Sequence, residues 1–275
     1  MATGRNILND DTLNAQMLEQ GYVRLEGFLN AEELEFIRNA YKSYDPNIHR
    51  QYYSTIDSAD NNYKSHVNQS IRKAISRSSA MYLNHYVPMT GNFVVKTKGK
   101  KSKVNMHFDI SCVDEEEFES CVIWIPLTDV DAQNGALQML KGSHKFMNKV
   151  RGPGVKRFYE NLYEYFEKNM MTVVPMKAGD ALVFLNRALH FSAPNNSESP
   201  RVSMRIDMVP EEAQTIMYYW EKWLPGNMVE VYKIGLDFYE NFVKESKPVG
   251  ATPMAYKENI YHELSKEELL KYITR

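Results

Sequence analysis

His107, Asp109 and His190 are residues of the types that hold a metal ion. Two imidazoles and one carboxylate suit Fe(II) and leave half of its octahedron open for a cosubstrate and O2. His107 and Asp109 stand two apart in His107-Phe-Asp109, and on a β-strand that spacing turns both side chains to one face. A pair on one strand and a third ligand from a distant strand, His190, would close a facial triad. Arg201, eleven residues after His190, adds a planar guanidinium fork suited to a carboxylate. Together these residues specify a cosubstrate as well as a metal.

Rigid elements must carry such a site. Residues 85–210 read as strands, most clearly Asn92–Lys96, Cys121–Ile125, Ala136–Leu140, Met171–Pro175, Ala181–Leu185 and Val202–Asp207. Asn134-Gly135 is a hairpin signal between two of them. His190 falls just past the buried run Ala181–Leu185. Val155–Met170 reads as a helix, with Phe158, Leu162 and Phe166 on one face. Residues 1–84 read as helical with one strand, Tyr22-Val-Arg-Leu-Glu26. Asn30 and Glu33 form a capping box, ahead of an apolar face of Leu34, Ile37 and Tyr41. Residues 45–65 are polar and read as a long loop, while Ile71–Leu83 reads as a helix. Residues 211–275 read as a helical extension: Ala213–Leu224, Met228–Lys244 and a last helix opened by Ser265 with Glu268. The whole is expected to be one domain, 1–275, mainly β with flanking helices.

Four segments, in order, resemble the phytanoyl-CoA dioxygenase family of Fe(II)/2-oxoglutarate-dependent oxygenases. They are Gly21–Glu33, His107-Phe-Asp109, Trp124–Leu137 with Lys141-Gly-Ser-His-Lys145, and His190-Phe-Ser192 through Arg201-Val-Ser203. The match spans roughly residues 10–210. The resemblance implies a double-stranded β-helix, a jelly roll of the cupin kind, and Fe(II), 2-oxoglutarate and O2 as the reacting set. His107, Asp109 and His190 would hold the metal. Arg201 has the family's spacing from His190 and would bind the C5 carboxylate of 2-oxoglutarate; Arg205 shares its strand face by parity, so periodicity alone does not exclude it. Ser203, on the same face, can donate a hydroxyl hydrogen bond to that carboxylate. Ser192 and Trp124 match family positions that line the cosubstrate pocket, and Thr90 or Asn92 could meet the C1 carboxylate.

The presence of Asp109 favours hydroxylation over halogenation, because family-like halogenases put a halide where this carboxylate stands. Desaturation, epoxidation and cyclisation use the same site. A cupin metalloenzyme without 2-oxoglutarate has no use for Arg201 and Ser203, and a non-catalytic binding protein would usually have lost a ligand. The substrate is expected to be a small molecule, a specialised or secondary metabolite. Tyr52, Tyr53, Tyr218, Tyr219 and Trp220 fall where they could cap the barrel mouth.

The remaining composition sets bounds. With 33 basic and 35 acidic residues, the chain lacks the basic excess of a nucleic-acid binder. Lys96, Lys98, Lys100, Lys101 and Lys103 form the one dense basic run and read as a solvated loop, with a guide for an anionic substrate as the sharper alternative. Two cysteines make no disulfide framework, no apolar run is long enough to span a membrane, and the cytoplasm is the expected compartment. His144, in Gly142-Ser-His-Lys145, reads as part of a tight turn and not as a ligand.

Overall fold

The computed structural model describes residues 5–44, 50–241, 246–261 and 263–273. The N-terminal part runs α1 (Asp11–Gln20), β1 (Tyr22–Leu25), α2 (Ala31–Ser43), β2 (Tyr52–Ser54) and α3 (Asn61–Tyr82). The middle runs β3 (Tyr86–Lys96), β4 (Val104–His107), β5 (Cys121–Pro126), β6 (Leu137–Met139), α4 (Tyr163–Asn169), β7 (Thr172–Val173), β8 (Ala181–Leu185), β9 (His190–Ser192) and β10 (Arg201–Pro210). The end runs β11 (Ile216–Tyr219), β12 (Met228–Lys233), α5 (Phe238–Asn241), β13 (Ala255–Glu258) and α6 (Lys266–Ile273).

A six-stranded antiparallel sheet has the order β1-β8-β5-β10-β3-β2, and a four-stranded one the order β4-β9-β6-β7. From β3 to β10 the chain passes back and forth between them. β3, β5, β8 and β10 enter the large sheet; β4, β6 with β7, and β9 enter the small one. That alternation is a double-stranded β-helix, or jelly roll.

The two faces of the large sheet divide the labour. Phe93, Val95, Ile123, Ile125, Val183, Met204 and Ile206 lie on the outer face by register, buried together with Ile37 of α2 and Val67, Ile71 and Ile75 of α3. The fit is close: a Cβ on Gly91 would come within 2.8 Å of Ile71. On the opposite parity stand Tyr52, Asn92, Val94, Lys96, Trp124, Arg201, Ser203 and Arg205. The sheet is thus apolar where helices cover it and polar where the barrel encloses a site.

Several sequence expectations need correction. The polar stretch 45–65 is not one long loop. Its residues 45–49 lie outside the described set, but Tyr52–Ser54 add an edge strand and α3 begins at Asn61, capped by Asp60. That helix starts ten residues before the expected Ile71. The helix expected over Val155–Met170 is confined to Tyr163–Asn169 after a short 3-10 turn; Phe158 precedes it, yet packs in the same cluster as Phe166. Asn134-Gly135 turns the chain but makes no hairpin, because β5 and β6 belong to different sheets.

The extension 211–275 is the largest departure. An antiparallel sheet of order β11-β12-β13 stands where two of its three expected helices were placed; of the expected Met228–Lys244 only Phe238–Asn241 is helical, and residues 242–244 lie outside the described set. Ile216, Tyr218, Val229, Val231 and Tyr232 are β-branched or aromatic, types that fit a pleated surface better than a helix. The final helix does form, and Ser265 and Glu268 exchange their capping bonds. No helix of the described residues is long and apolar enough to cross a membrane. Cys112 and Cys121 are buried and free.

Candidate metal centre and cosubstrate pocket

β4 and β9 are neighbours in the small sheet, with His107 directly opposite His190. The pairing brings their rings to a centroid distance of 4.3 Å. Asp109 lies two residues beyond the end of β4, not on the strand with His107 as the spacing suggested. Its position is set by its backbone instead. Its N–H donates to Asn186 O at 2.8 Å, and its carbonyl accepts from Arg151 Nε at 2.7 Å. His190 opens β9 rather than trailing β8; the turn Asn186–Leu189 separates the two strands.

The hydrogen bonds leave the free atoms where a metal needs them. His107 Nδ1 lies 2.8 Å from Asn105 O, and His190 Nδ1 lies 3.0 Å from Ala188 O. A carbonyl can only accept, so each Nδ1 carries the proton and each Nε2 keeps its lone pair. Asp109 Oδ1 accepts from Arg205 Nη1 at 2.9 Å, while Oδ2 is buried with no partner. One ligand atom from each of the three residues lies within 4.8 Å of the others, the one such group of three found among the described residues. Two bare imidazole nitrogens and an orphaned carboxylate oxygen fit a divalent ion.

Charge states agree with that fit. Burial pulls His107 and His190 below the ordinary histidine range, His190 to about 3. Burial pushes the Asp109 carboxyl up, but Arg205 and the two histidines outweigh it and hold the carboxyl at about 2. The site therefore holds neutral imidazoles and an ionised carboxylate at neutral pH.

Behind Asp109 lies a buried ion cluster. Arg151 donates twice to Glu115, at 2.6 and 2.8 Å, and both side chains are 1% exposed. Arg187 joins Glu115 to Glu119. Arg205 Nη2 also reaches Asp207 at 2.8 Å, and Asp207 accepts from Asn186. The Asp109 loop is thus clamped from both sides by charged groups that have left water.

Tyr52, Trp124, Phe184, His107, His190, Ser192, Arg201 and Arg205 line a cavity between the sheets. Arg201 is 2% exposed, and its Nε and Nη1 have no partner. Its guanidinium carbon lies 5.3 Å from the centre of the Trp124 ring. Burial lowers its pKa only to about 10, so it stays charged. A buried, charged, unpaired fork calls for an anion. Arg205 differs, because Asp109 and Asp207 occupy both its terminal nitrogens.

The other expected residues divide. Ser192 lines the cavity with its hydroxyl bound by Lys96. Ser203 is on the right face, but its hydroxyl donates to Val94 O at 3.1 Å. Asn92 gives its amide to Ser54 Oγ at 2.7 Å, and Thr90 faces Leu236 O at 3.4 Å. His144 bonds Leu18 O through Nε2 and stays apart from the triad. Of the five aromatics expected at the mouth, Tyr52 lines the cavity; Tyr218 is buried with Val150, Val155 and Ile216.

Sequence reasoning missed two roles. Sequence alone casts Arg205 as a rival to Arg201, and Lys96 as part of a basic run that is either a solvated loop or a guide for an anionic substrate. Lys96 is fully buried, with Nζ on Ser192 and Ala193. The signal was present, since Lys96 closes the strand run Asn92–Lys96 on the parity of Asn92 and Val94. Farther along the run, Lys98 and Lys103 do pair at the surface, with Glu198 and Glu167.

A family model for phytanoyl-CoA dioxygenase matches residues 17–203. The chain belongs to the phytanoyl-CoA dioxygenase family. A curated member, the phytanoyl-CoA dioxygenase of Arabidopsis thaliana, is 26% identical over 170 residues, covering 61% of this chain and 57% of that protein. A phytanoyl-CoA dioxygenase domain-containing protein 1 homolog of Dictyostelium discoideum is 23% identical over 141 residues, 48% of this chain and 49% of that one. The match thus spans about half the length of these curated relatives. Among solved structures, the epimerase SnoN in complex with Fe3+, alpha ketoglutarate and nogalamycin RO superposes with TM-score 0.56 at 16% identity, covering 92% of this chain and 95% of that one. EctD from S. alaskensis, with 2-oxoglutarate and 5-hydroxyectoine, gives 0.51 at 14% identity, covering 78% and 80%. These likenesses establish the fold. The family match ends at Ser203, so Arg205, Asp207 and the sheet β11–β13 lie beyond it.

Proposed function

We propose that this chain is an Fe(II)/2-oxoglutarate-dependent dioxygenase that hydroxylates a small-molecule substrate, a specialised metabolite, while 2-oxoglutarate becomes succinate and CO2. The single observation that carries this reading is the pairing of two unsatisfied features in one cavity. The orphaned Oδ2 of Asp109 sits beside two histidines with free Nε2 atoms, and Arg201 is buried, charged and short of an anion. A metal answers the first and a carboxylate the second.

Bound iron would supply the coupling of 2-oxo acid decarboxylation to oxidation of a substrate C–H bond. The chain's own residues do the rest. His107, Asp109 and His190 would hold the metal at the wall of the cavity. Arg205 occupies Asp109 Oδ1, so only Oδ2 is free to ligate. Arg201 anchors the far carboxylate of the cosubstrate, with Trp124 stacked against the guanidinium. Ser192 and the Trp124 ring complete that pocket, while Ser203 is turned to Val94 O. Phe184, Phe191, Leu137 and Val104 give the cavity an apolar wall, which suits an organic substrate and keeps water from the reacting atoms.

A cupin metalloenzyme without 2-oxoglutarate, or a binding protein, gives Arg201 no partner, and the family membership weighs against both. SnoN is an epimerase and EctD was solved with 2-oxoglutarate and 5-hydroxyectoine, so the fold is not tied to one outcome. The carboxylate at position 109 favours hydroxylation over halogenation here. The test is incubation of Fe(II)-loaded protein with 2-oxoglutarate, a metabolite extract and 18O2, followed by mass spectrometry. The reading predicts iron-dependent labelled succinate and an extract component gaining one labelled oxygen. A chlorinated product in chloride, or oxidation without succinate, would overturn it.

A further inference from the structure

Lys96 is a buried amine that the triad and Arg201 leave without a role. It ends β3, fully buried, directly across from Arg201 on β10 and from Tyr52 on β2. Its Nζ meets three oxygens: the Ser192 hydroxyl, Ser192 O at 3.1 Å and Ala193 O at 2.8 Å. None is a carboxylate, and the charge that acts on it is Arg201's, of like sign. Burial, reinforced by Arg201, pulls the amine down to about 6.

The cradle accepts either protonation state. As an ammonium, Lys96 donates to all three oxygens. As a neutral amine, it donates to the two carbonyls and accepts the hydrogen of the Ser192 hydroxyl. A proton can arrive or leave with no side chain moving. The cradle also resists rearrangement, because a Cβ on Gly135 would lie 2.5 Å from Ala193 O and 3.3 Å from Nζ itself.

We infer that Lys96 is a proton-coupled second cation of the cosubstrate pocket, neutral when the pocket is empty and protonated from solvent when a carboxylate of 2-oxoglutarate settles on Arg201. This rests on the reading of the pocket given above. The sign follows from linkage. A carboxylate nearby raises the affinity of Lys96 for its proton, so binding takes up a proton above the empty-pocket pKa. Affinity is then greatest in acid and weakens by about tenfold per pH unit until the bound-state pKa is passed.

The neighbouring groups do not supply that proton uptake. Arg201 stays charged through this range, and burial keeps the Tyr52 phenol protonated above it. Ser192, Ala193 and Trp124 carry no titrating charge there. His190 on β9, and His107 opposite it, are shared by every variant compared and are held by the metal.

Calorimetric titration of Mn(II)-loaded protein with 2-oxoglutarate, in two buffers of different ionisation enthalpy at about pH 7.5, should show uptake of about one proton per ligand. Lys96→Met should bind with no uptake. A second measurement needs no variant: the wild-type dissociation constant followed across the neutral range should rise by about tenfold per pH unit. Binding without proton uptake, a flat pH series, or equal uptake in Lys96→Met would overturn this inference and leave the pocket's assignment standing. Absence of any binding would overturn both.

Discussion

At the scale of single residues, the two arginines of β10 have separate duties, and their variants should separate. Arg201 faces the cavity unpaired, whereas Arg205 is spent on Asp109 and Asp207. Removing one member of a buried charge pair costs about 3–5 kcal/mol. For Arg201→Ala that lowers the affinity for 2-oxoglutarate by about two to three orders of magnitude, at about 1.4 kcal/mol per decade. Iron affinity should hardly change. Arg205→Leu should do the reverse and weaken Fe(II) by about 10–100-fold, the usual cost of losing a group that orients a metal ligand. Iron and 2-oxoglutarate titrations of both variants check this, and the opposite order would exchange the roles. The candidate metal ligands were legible from type and spacing, because a two-residue step and a distant histidine suffice to suggest them. The duty of Arg205 was not. Parity places it on the correct face but says nothing of how far Asp109, off the end of its strand, reaches towards it.

At the scale of elements, the Asp109 loop depends on a cluster that no local pattern discloses. Arg151 and Glu115 are 36 residues apart, and they meet only because the segments after β4 and after β6 converge behind Asp109. Glu115→Ala leaves Arg151 charged, buried and unpaired, which costs about 3–5 kcal/mol. Urea unfolding should register that loss, and iron affinity should fall with it, since Arg151 holds the Asp109 carbonyl. An unchanged midpoint would show the cluster to be idle. Gly135→Ala should also be damaging, because φ is +80° and the new methyl would strike Ala193 O. The strands of the barrel were readable because both their faces are buried and their runs are short. The extension after Glu211 was not. Its apolar and aromatic residues fit a helical period and a strand period alike over such short stretches, and contact with segments 112–113 and 150–155 decides in favour of strands.

At the scale of the whole molecule, the site is maintained against the stability of the metal-free fold. His190 and His107 are neutral when folded, whereas the unfolded chain takes up their protons below about pH 6.5. The unfolded state then binds more protons, so the metal-free protein loses stability as pH falls from about 6.5 towards the folded-state value of His190, about 3. Denaturation midpoints across this range should fall less steeply in His190→Ala than in the wild type. Metal opposes the loss, since it binds the neutral imidazoles and only in the folded state. The most direct test of metal and cosubstrate together is an anaerobic titration of the Fe(II)-loaded protein with 2-oxoglutarate, followed by the visible absorption that appears when a 2-oxo acid binds Fe(II). One equivalent per chain should saturate the absorption in the wild type, none should develop in His190→Ala, and Arg201→Ala should need far more ligand. An absorption that persists unchanged in His190→Ala, or fails to appear in the wild type, would contradict the assignment of this cavity.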